Sequence, residues 1–184
     1  MIALVPVTVA VAQAVLRYDG IDGIDTVLGV LSRVADWPHD DTGHVLRALA
    51  EHPGDTGPGT FLVVLERSGQ ADTVIGDCGW FGPPSQGRSN EPDGQVEIGY
   101  GLAPSARGAG HGRAAVALLI DWVRAQGATS ARAEVLPGNE PSLRLLTGLG
   151  FTRDAARAGH EVLVRDLEWA RGGERHLAGR NRVG

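Results

Sequence analysis

The residues best suited to chemistry in this chain are the closely spaced glycines of the segment RGAGHGR, Arg107 to Arg113. Because they lack a Cβ, Gly108, Gly110 and Gly112 let successive backbone N–H groups turn toward an anion. An apolar helix is predicted to begin near Gly112, and a helix N-terminus adds unsatisfied N–H groups and a positive dipole end. Arg107 and Arg113 flank the loop as charge partners. The segment therefore predicts a binding site for a diphosphate.

The spacing of the glycines narrows the choice of phosphate ligand. A nucleoside triphosphate loop of the form GxxxxGK(S/T) needs a lysine, and the chain contains none. A dinucleotide loop needs GxGxxG near the start of the chain, whereas this loop reads GxGxG and comes late. Glu134 follows the helix roughly where a ribose-binding acid would sit, so a dinucleotide remains an alternative on spacing alone.

Three ordered blocks of sequence resemble one enzyme family. Arg107 to Gly112 fits its loop pattern of Arg or Gln, two free positions, Gly, one free position, and Gly or Ala. Upstream, VEIGYGLAP at 96–104 resembles the family's fourth strand, and downstream EVLPGNEPSLRLLTGLGF at 134–151 resembles its fifth strand, Asn loop and fourth helix. The chain is therefore identified as resembling the GCN5-related N-acetyltransferases (GNAT), particularly the branch that acetylates ribosomal-protein N-termini. The detailed match covers about residues 94–168.

The resemblance implies a cosubstrate, acetyl-CoA, and we expect no metal. The pantetheine arm would lie between the splayed fourth and fifth strands and bond to backbone near Leu102, and a backbone N–H near Leu102 would stabilise the oxyanion. The implied contacts to the cosubstrate are Leu102, Arg107, Gly108, Ala109, Gly110, His111, Gly112, Arg113, Asn139 and Ser142. Asn139 would bond the pantetheine, although it also suits a helix N-cap.

Side chains alternate between the two faces of the predicted strand at 94–102. Glu97 shares one face with Gly99 and Gly101, where missing side chains allow a ligand to approach closely. An amine must lose a proton before or during attack on a thioester, so Glu97 is the first candidate for the general base. The alternative is that Glu97 pairs with an arginine on a neighbouring strand.

The acid that protonates the leaving thiolate is less directly indicated. Many family members carry a Tyr in the fourth helix where this chain has Leu146. Ser142 is the predicted replacement, with an ordinary early-helix residue as the alternative. Tyr100 is a second candidate, although its phase along the strand favours the core. Asp36, Asp77 and Tyr100 are the predicted contacts to the substrate.

One segment resembles a metal site only superficially. His39, Asp40, Asp41 and His44 could supply ligands, but nothing in their spacing fixes a coordination geometry. A solvated loop followed by a helix N-cap explains the segment better.

These residues are predicted to sit in one α/β (α+β) domain at 1–169, with a mixed, mostly antiparallel sheet of six to seven strands flanked by helices. Strands are predicted near 2–7, 61–67, 73–81, 94–102, 130–135, 151–157 and 160–168. Helices are predicted at 8–18, 24–35, from 40 to about 52, 112–126 and 140–149. Thr8 is a predicted N-cap, and Gly127 and Gly150 predicted helix ends. Residues 170–184 form a basic tail that is predicted to be mobile.

Composition limits the class of protein further. A hydrophobic content of 42% excludes wholesale disorder, and the lone Cys78, predicted to be buried, excludes an internal disulfide framework. A net charge of −5 argues against nucleic acid as a partner and suits a cationic substrate, a small-molecule amine or a protein N-terminus. Asp121 and Arg124 interrupt the longest apolar helix, so we expect no membrane span and a cytoplasmic protein. A homodimer is left open.

Overall fold

The computed structural model of this 184-residue chain describes residues 1–17, 31–37, 59–81, 94–154 and 159–167. The strands are β1 (Ile2–Pro6), β2 (Leu31–Arg33), β3 (Thr60–Leu65), β4 (Asp72–Phe81), β5 (Gln95–Leu102), β6 (Ser130–Val135), β7 (Thr152–Arg153) and β8 (Glu161–Asp166). The helices are α1 (Val9–Arg17), α2 (His111–Ala125) and α3 (Glu140–Gly148), with a short 3-10 turn at Pro104–Ala106.

The strands form one mixed sheet in the order β1-β3-β4-β5-β6-β8-β7, and β2 adds an eighth strand beside β4. The β5–β6 and β2–β4 pairs are parallel, and the other pairs are antiparallel. The predicted fold class is confirmed, with seven strands in the main path.

Helix α2 packs on the sheet face that carries the even-numbered residues of β5. Its Trp122 ring lies 5.0 Å from the Phe61 ring of β3 and 5.5 Å from the Trp80 ring of β4. Val116 and Leu119 on the same helix are fully buried. Burying these side chains removes roughly 1.5–3 kcal/mol of unfavourable hydration for each one, which fixes the helix, and with it the glycine loop, against the sheet.

Local signals set the helix ends as predicted. The Thr8 hydroxyl accepts a hydrogen bond from Val11 N at 3.2 Å, and Asn139 Oδ1 accepts one from Ser142 N at 3.2 Å. Gly127 and Gly150 follow α2 and α3 with φ of 95° and 85°, the left-handed conformation that glycine adopts without a Cβ penalty. The N-caps and C-terminal glycines are therefore confirmed.

One predicted helix was wrong where the structure describes it. Residues 24–35 were predicted to be helical, but Leu31–Arg33 pairs in parallel with Asp72–Val74 of β4. Strand β5 pairs only with the later part of β4, which leaves the earlier edge open for β2. Tertiary pairing at this edge overrides local propensity. Residues 24–30 of that predicted helix, the helix from residue 40 and the basic tail lie outside the described residues.

The environment of Cys78 and the C-terminal hairpin were also predicted from the sequence. Cys78 is buried as predicted, and burial raises the pKa of its thiol. Within the described residues, the predicted hairpin strands at 151–157 and 160–168 extend over Thr152–Arg153 and Glu161–Asp166, and residues 155–157 and 168 lie outside the described part of the chain. Within the described ranges, no helix is long and apolar enough to cross a membrane.

Candidate active site

The loop between β5 and α2 is an open cradle lined by backbone. Gly108 and Gly110 both have φ of 80°, and a Cβ built on either would meet nothing within 4 Å. The first intrahelical bond runs from Ala114 N to Gly110 O at 3.2 Å, so the N–H groups before it point out of the helix end. Residues with side chains would be strained at both glycines and would fill this space. The cradle therefore suits a bulky anion such as a diphosphate.

The basic and small residues of the loop take distinct positions. Arg107 Nε donates to Leu102 O at 2.9 Å, which folds this side chain back over the end of β5. Ala109 is exposed, and His111 opens α2 in a half-buried position. A Cβ on Gly148 would come within 2.6 Å of Arg113 Nη1, so the Arg113 guanidinium lies against the last turn of α3. Gly112 packs close to Leu145, 3.1 Å from the place of its missing Cβ.

Strands β5 and β6 run together only briefly before they part. Their parallel pairing extends from Gln95 opposite Ser130 to Glu97 opposite Arg132. Beyond that point β5 continues along β4 to Leu102, and β6 continues along β8 to Val135. Two strand edges therefore face each other across an opening with no ladder between them.

Backbone groups of β5 point into this opening. Ala103 N bonds Ile75 O at 3.0 Å, and bonding alternates along an antiparallel pair. The odd-numbered residues of β5 therefore bond β4, and Tyr100 and Leu102 direct their N–H and C=O groups toward β6. The Leu102 carbonyl is used by Arg107. Its N–H remains on the open edge, where an extended ligand could complete the sheet.

A pair of hydroxyl groups links β5 to the first turn of α3. The Tyr100 hydroxyl lies 2.6 Å from Ser142 Oγ, and either oxygen can donate. Burial raises the pKa of Tyr100, and the hydrogen bond to Ser142 partly opposes that shift. Tyr100 shares the sheet face of buried Val96 and Ile98, as its phase predicted, yet its hydroxyl reaches a polar partner. Two residues predicted separately are thus brought together.

Glu97 projects from the opposite face and is held by an arginine of the next strand. Arg132 Nη2 donates to Glu97 Oε2, while Nη1 donates to Glu134 Oε1 at 2.8 Å. The Arg132 side chain is 6% exposed, against 21% for Glu97 and 29% for Glu134. Sequence reasoning left an ion pair open as the alternative for Glu97 but did not single out Arg132. The sequence signal that could have found Arg132 is the alternation of side chains along SARAEV, which puts residues 132 and 134 on one face of the strand.

The two predicted substrate-side aspartates have partners within the protein. Asp36 accepts from Ser105 N at 2.8 Å and from Ser105 Oγ at 2.7 Å, and these bonds lower the pKa of Asp36. Asp77 Oδ2 accepts from the indole N–H of buried Trp37 at 2.9 Å. Asp36 thus holds the turn that precedes the glycine loop, and contacts of either acid with a substrate stay predictions.

The last predictions to compare with the structure concern a proton donor for the leaving thiolate, the Asn139 contact and a metal site. Leu146, at the position where the resemblance implies a tyrosine in many family members, is fully buried and carries no polar group. Asn139 caps α3 through its side-chain oxygen, so its amide group stays at the helix N-terminus. Among the residues that the structure describes, no three His, Cys, Asp or Glu side chains cluster in a way that could hold a metal.

The parallel pair β5–β6 opens beside a glycine loop and a helix N-terminus, which is the arrangement that the resemblance to the acetyltransferases implied. The family model described as an acetyltransferase (GNAT) domain matches residues 26–152, about two thirds of the chain. The protein therefore belongs to the GNAT acetyltransferase family.

Similar proteins fall in the same family. The chain is 36% identical over 108 residues to the uncharacterized N-acetyltransferase p20 of Bacillus licheniformis, covering 56% of this chain and 51% of that protein. It spans about half the length of the curated relatives it matches.

Two solved structures share the fold. YncA of Salmonella typhimurium, solved with acetyl-CoA, aligns with a TM-score of 0.53 and 22% identity over 91% of this chain and 94% of that one. A ribosomal-protein-S5-alanine acetyltransferase from Vibrio fischeri aligns with a TM-score of 0.57 and 20% identity over 91% and 93%.

Proposed function

We propose that this protein is an acetyl-CoA-dependent N-acetyltransferase that acetylates a primary amine by direct attack in a ternary complex. The amine belongs to a small molecule or to a protein N-terminus. The observation that carries the proposal is the opening between β5 and β6, which ends beside the backbone cradle of Gly108 and Gly110. The extended pantetheine arm could bind along the open strand edge, and the diphosphate could bind at the N-terminus of α2.

Two features of the described residues support this choice of cosubstrate. The positive φ and open space at Gly108 and Gly110 leave room for the diphosphate against the N-terminus of α2. The Leu102 N–H lies on the open edge, available for the pantetheine or for charge that develops on the thioester oxygen. When bound, acetyl-CoA would supply the activated acetyl thioester. The YncA structure, solved with acetyl-CoA, supports this choice of ligand.

Glu97 is the proposed base on the face opposite α2. Its carboxylate is anchored by Arg132 through one oxygen and is still partly exposed, so it can accept a proton from an ammonium ion directly or through water. Gly99 and Gly101 continue the same face without side chains, which leaves room for the acceptor. The net negative charge of the chain agrees with a cationic acceptor.

Ser142 is the proposed proton donor to the leaving thiolate, and Tyr100 supports it. The 2.6 Å contact lets Tyr100 donate to the Ser142 oxygen while Ser142 donates onward. The raised pKa of Tyr100 keeps the phenol protonated at neutral pH, so it remains a donor. The pair takes the place of the helix tyrosine that Leu146 replaces.

One observation favours a second candidate function, a non-catalytic acyl-CoA-binding or sensor module. Leu146 is fully buried and supplies no hydroxyl group to a departing thiolate. In a sensor, the cradle would bind the same ligand, and the Glu97–Arg132 pair would serve only to join β5 to β6.

Turnover with a broad amine panel separates the two functions. The panel contains small primary amines and peptides with free N-termini, and the release of free CoA thiol is followed with acetyl-CoA as donor. An acetyltransferase gives amine-dependent release, with the intersecting initial-rate lines of a ternary complex rather than a ping-pong pattern. Stabilisation by CoA without release for any amine would reject the enzyme and leave the sensor.

A further inference from the structure

The sheet face that carries Glu97, opposite α2, contains a second carboxylate, Glu134, which has no role in the proposed reaction. Glu134 follows Arg132 by two residues on β6 and therefore projects from the same face as Arg132 and Glu97. It lies beyond the last β6 residue that pairs with β5, so it stands at the opening itself. On its other side it faces buried Val162 of β8.

A single guanidinium joins the two carboxylates. The two terminal nitrogens of Arg132 go to different partners, Nη2 to Glu97 and Nη1 to Glu134. Arginine holds the two carboxylates through separate nitrogens of a rigid planar fork, whereas the single nitrogen of a lysine sits on a flexible stem and would not fix their positions in the same way. The cluster of Glu97, Arg132 and Glu134 carries a formal charge of about −1 when all three groups are ionised. It is therefore complementary to one ammonium group.

A purely structural role explains this cluster poorly. Bringing an arginine to 6% exposure demands desolvation, and well-packed apolar residues often stabilise such a position as well or better. Along the other face of β6, the chain places Ala131, Ala133 and Val135 in the core, so apolar residues suit this strand. The charged cluster also coincides with the point where β5 and β6 separate.

We propose that Glu134 is a second carboxylate of the amine site and that Arg132 is the residue that positions both glutamates. The protonated amine binds between Glu97 and Glu134 at the start of the opening. Its ammonium supplies the charge that the cluster lacks, and Glu97 then accepts the proton. This inference rests on the proposed function, and it specifies that the acceptor arrives as a cation.

The test measures amine binding separately from turnover. Primary amines from the same panel are titrated into protein saturated with CoA, which cannot donate an acetyl group, and binding is followed by thermal shift and calorimetry. The variants are Glu134→Gln and Arg132→Lys. The matched control is Arg153→Lys, which alters an exposed arginine that pairs with Glu161 at 3.1 Å between β7 and β8.

Glu134→Gln should weaken binding of the best amine by about 10- to 100-fold, the loss of one charge-assisted hydrogen bond. In turnover, the loss should appear in the amine KM with kcat nearly retained. Arg132→Lys should lower kcat as well, because Glu97 also loses its position. Both variants should bind CoA as the wild type does, which also shows that they are folded, and Arg153→Lys should behave as wild type.

Wild-type amine affinity and amine KM in Glu134→Gln would overturn the inference, even if Arg132→Lys fails to fold. Amine binding that depends on Glu134 in a protein without turnover would reject the transferase and keep the cation site. Wild-type turnover and amine KM in Glu134→Gln would keep the transferase and reject the cation site. If no amine in the panel binds the wild-type CoA complex, the cation site is rejected.

Discussion

Replacing Gly110 by valine tests the cradle at a position where the backbone is left-handed. Gly110 caps α2 with φ of 80° and ψ of 0°, and a Cβ there would point into empty space. The left-handed conformation costs an L-residue about 1–2 kcal/mol, and a β-branched side chain is no better accommodated. For a chain of this size the melting temperature should fall by about 2–8 °C. The new side chain would occupy the space reserved for the diphosphate.

The assay compares melting temperatures with and without CoA. Ligand at about 100 times its dissociation constant should stabilise the wild-type protein by about 2.7 kcal/mol, a shift of about 5–11 °C. CoA and acetyl-CoA should both produce this shift, whereas ATP and NAD should not. Gly110→Val should lose the shift because its site is filled.

Gly127→Val provides the matched control. Gly127 lies just beyond the opposite end of α2, has φ of 95° and also has open space around a Cβ. The variant should lose similar stability but keep the full shift with CoA. A normal CoA shift in folded Gly110→Val would refute the cradle, and an equal shift of the wild type with NAD would favour the dinucleotide alternative.

Three further predictions concern individual side chains. Glu97→Gln should keep acetyl-CoA binding and lower kcat by about 10²–10⁴-fold near neutral pH. This deficit in kcat should shrink at high pH, where more of the amine is already deprotonated. A loss confined to the amine KM would make Glu97 a binding residue only. Tyr100→Phe and Ser142→Ala should each lower kcat, and the double variant should be little worse than either single one, whereas additive losses would show that the hydroxyls act separately. Asp36→Asn should be less stable than the wild type above about pH 4 and lose that deficit as pH falls further, because the lowered pKa of Asp36 gives a contribution that disappears on protonation. A deficit in urea denaturation that stays constant down to pH 2 would contradict the bond from Ser105 as its cause.

The sequence by itself determined the features that depend on local rules. Glycine spacing located the loop, and in the structure Gly108 and Gly110 have a positive φ. Capping residues and hydrophobic periodicity located α2 and α3 to within one residue. Alternation along β5 placed Tyr100 and Glu97 on opposite faces. Each of these signals acts over a few residues, so it can be read before the chain is folded.

Only the tertiary structure decided which distant groups meet. Glu97 and Arg132 are 35 residues apart, Tyr100 and Ser142 are 42 apart, and Asp36 and Ser105 are 69 apart. No local pattern encodes such pairs, because strand register and helix packing select the partner after the core has formed. The same reason explains β2, where an open edge of β4 overrode a helical pattern. The sequence could propose an acid and a base, but the sheet decides what holds each of them.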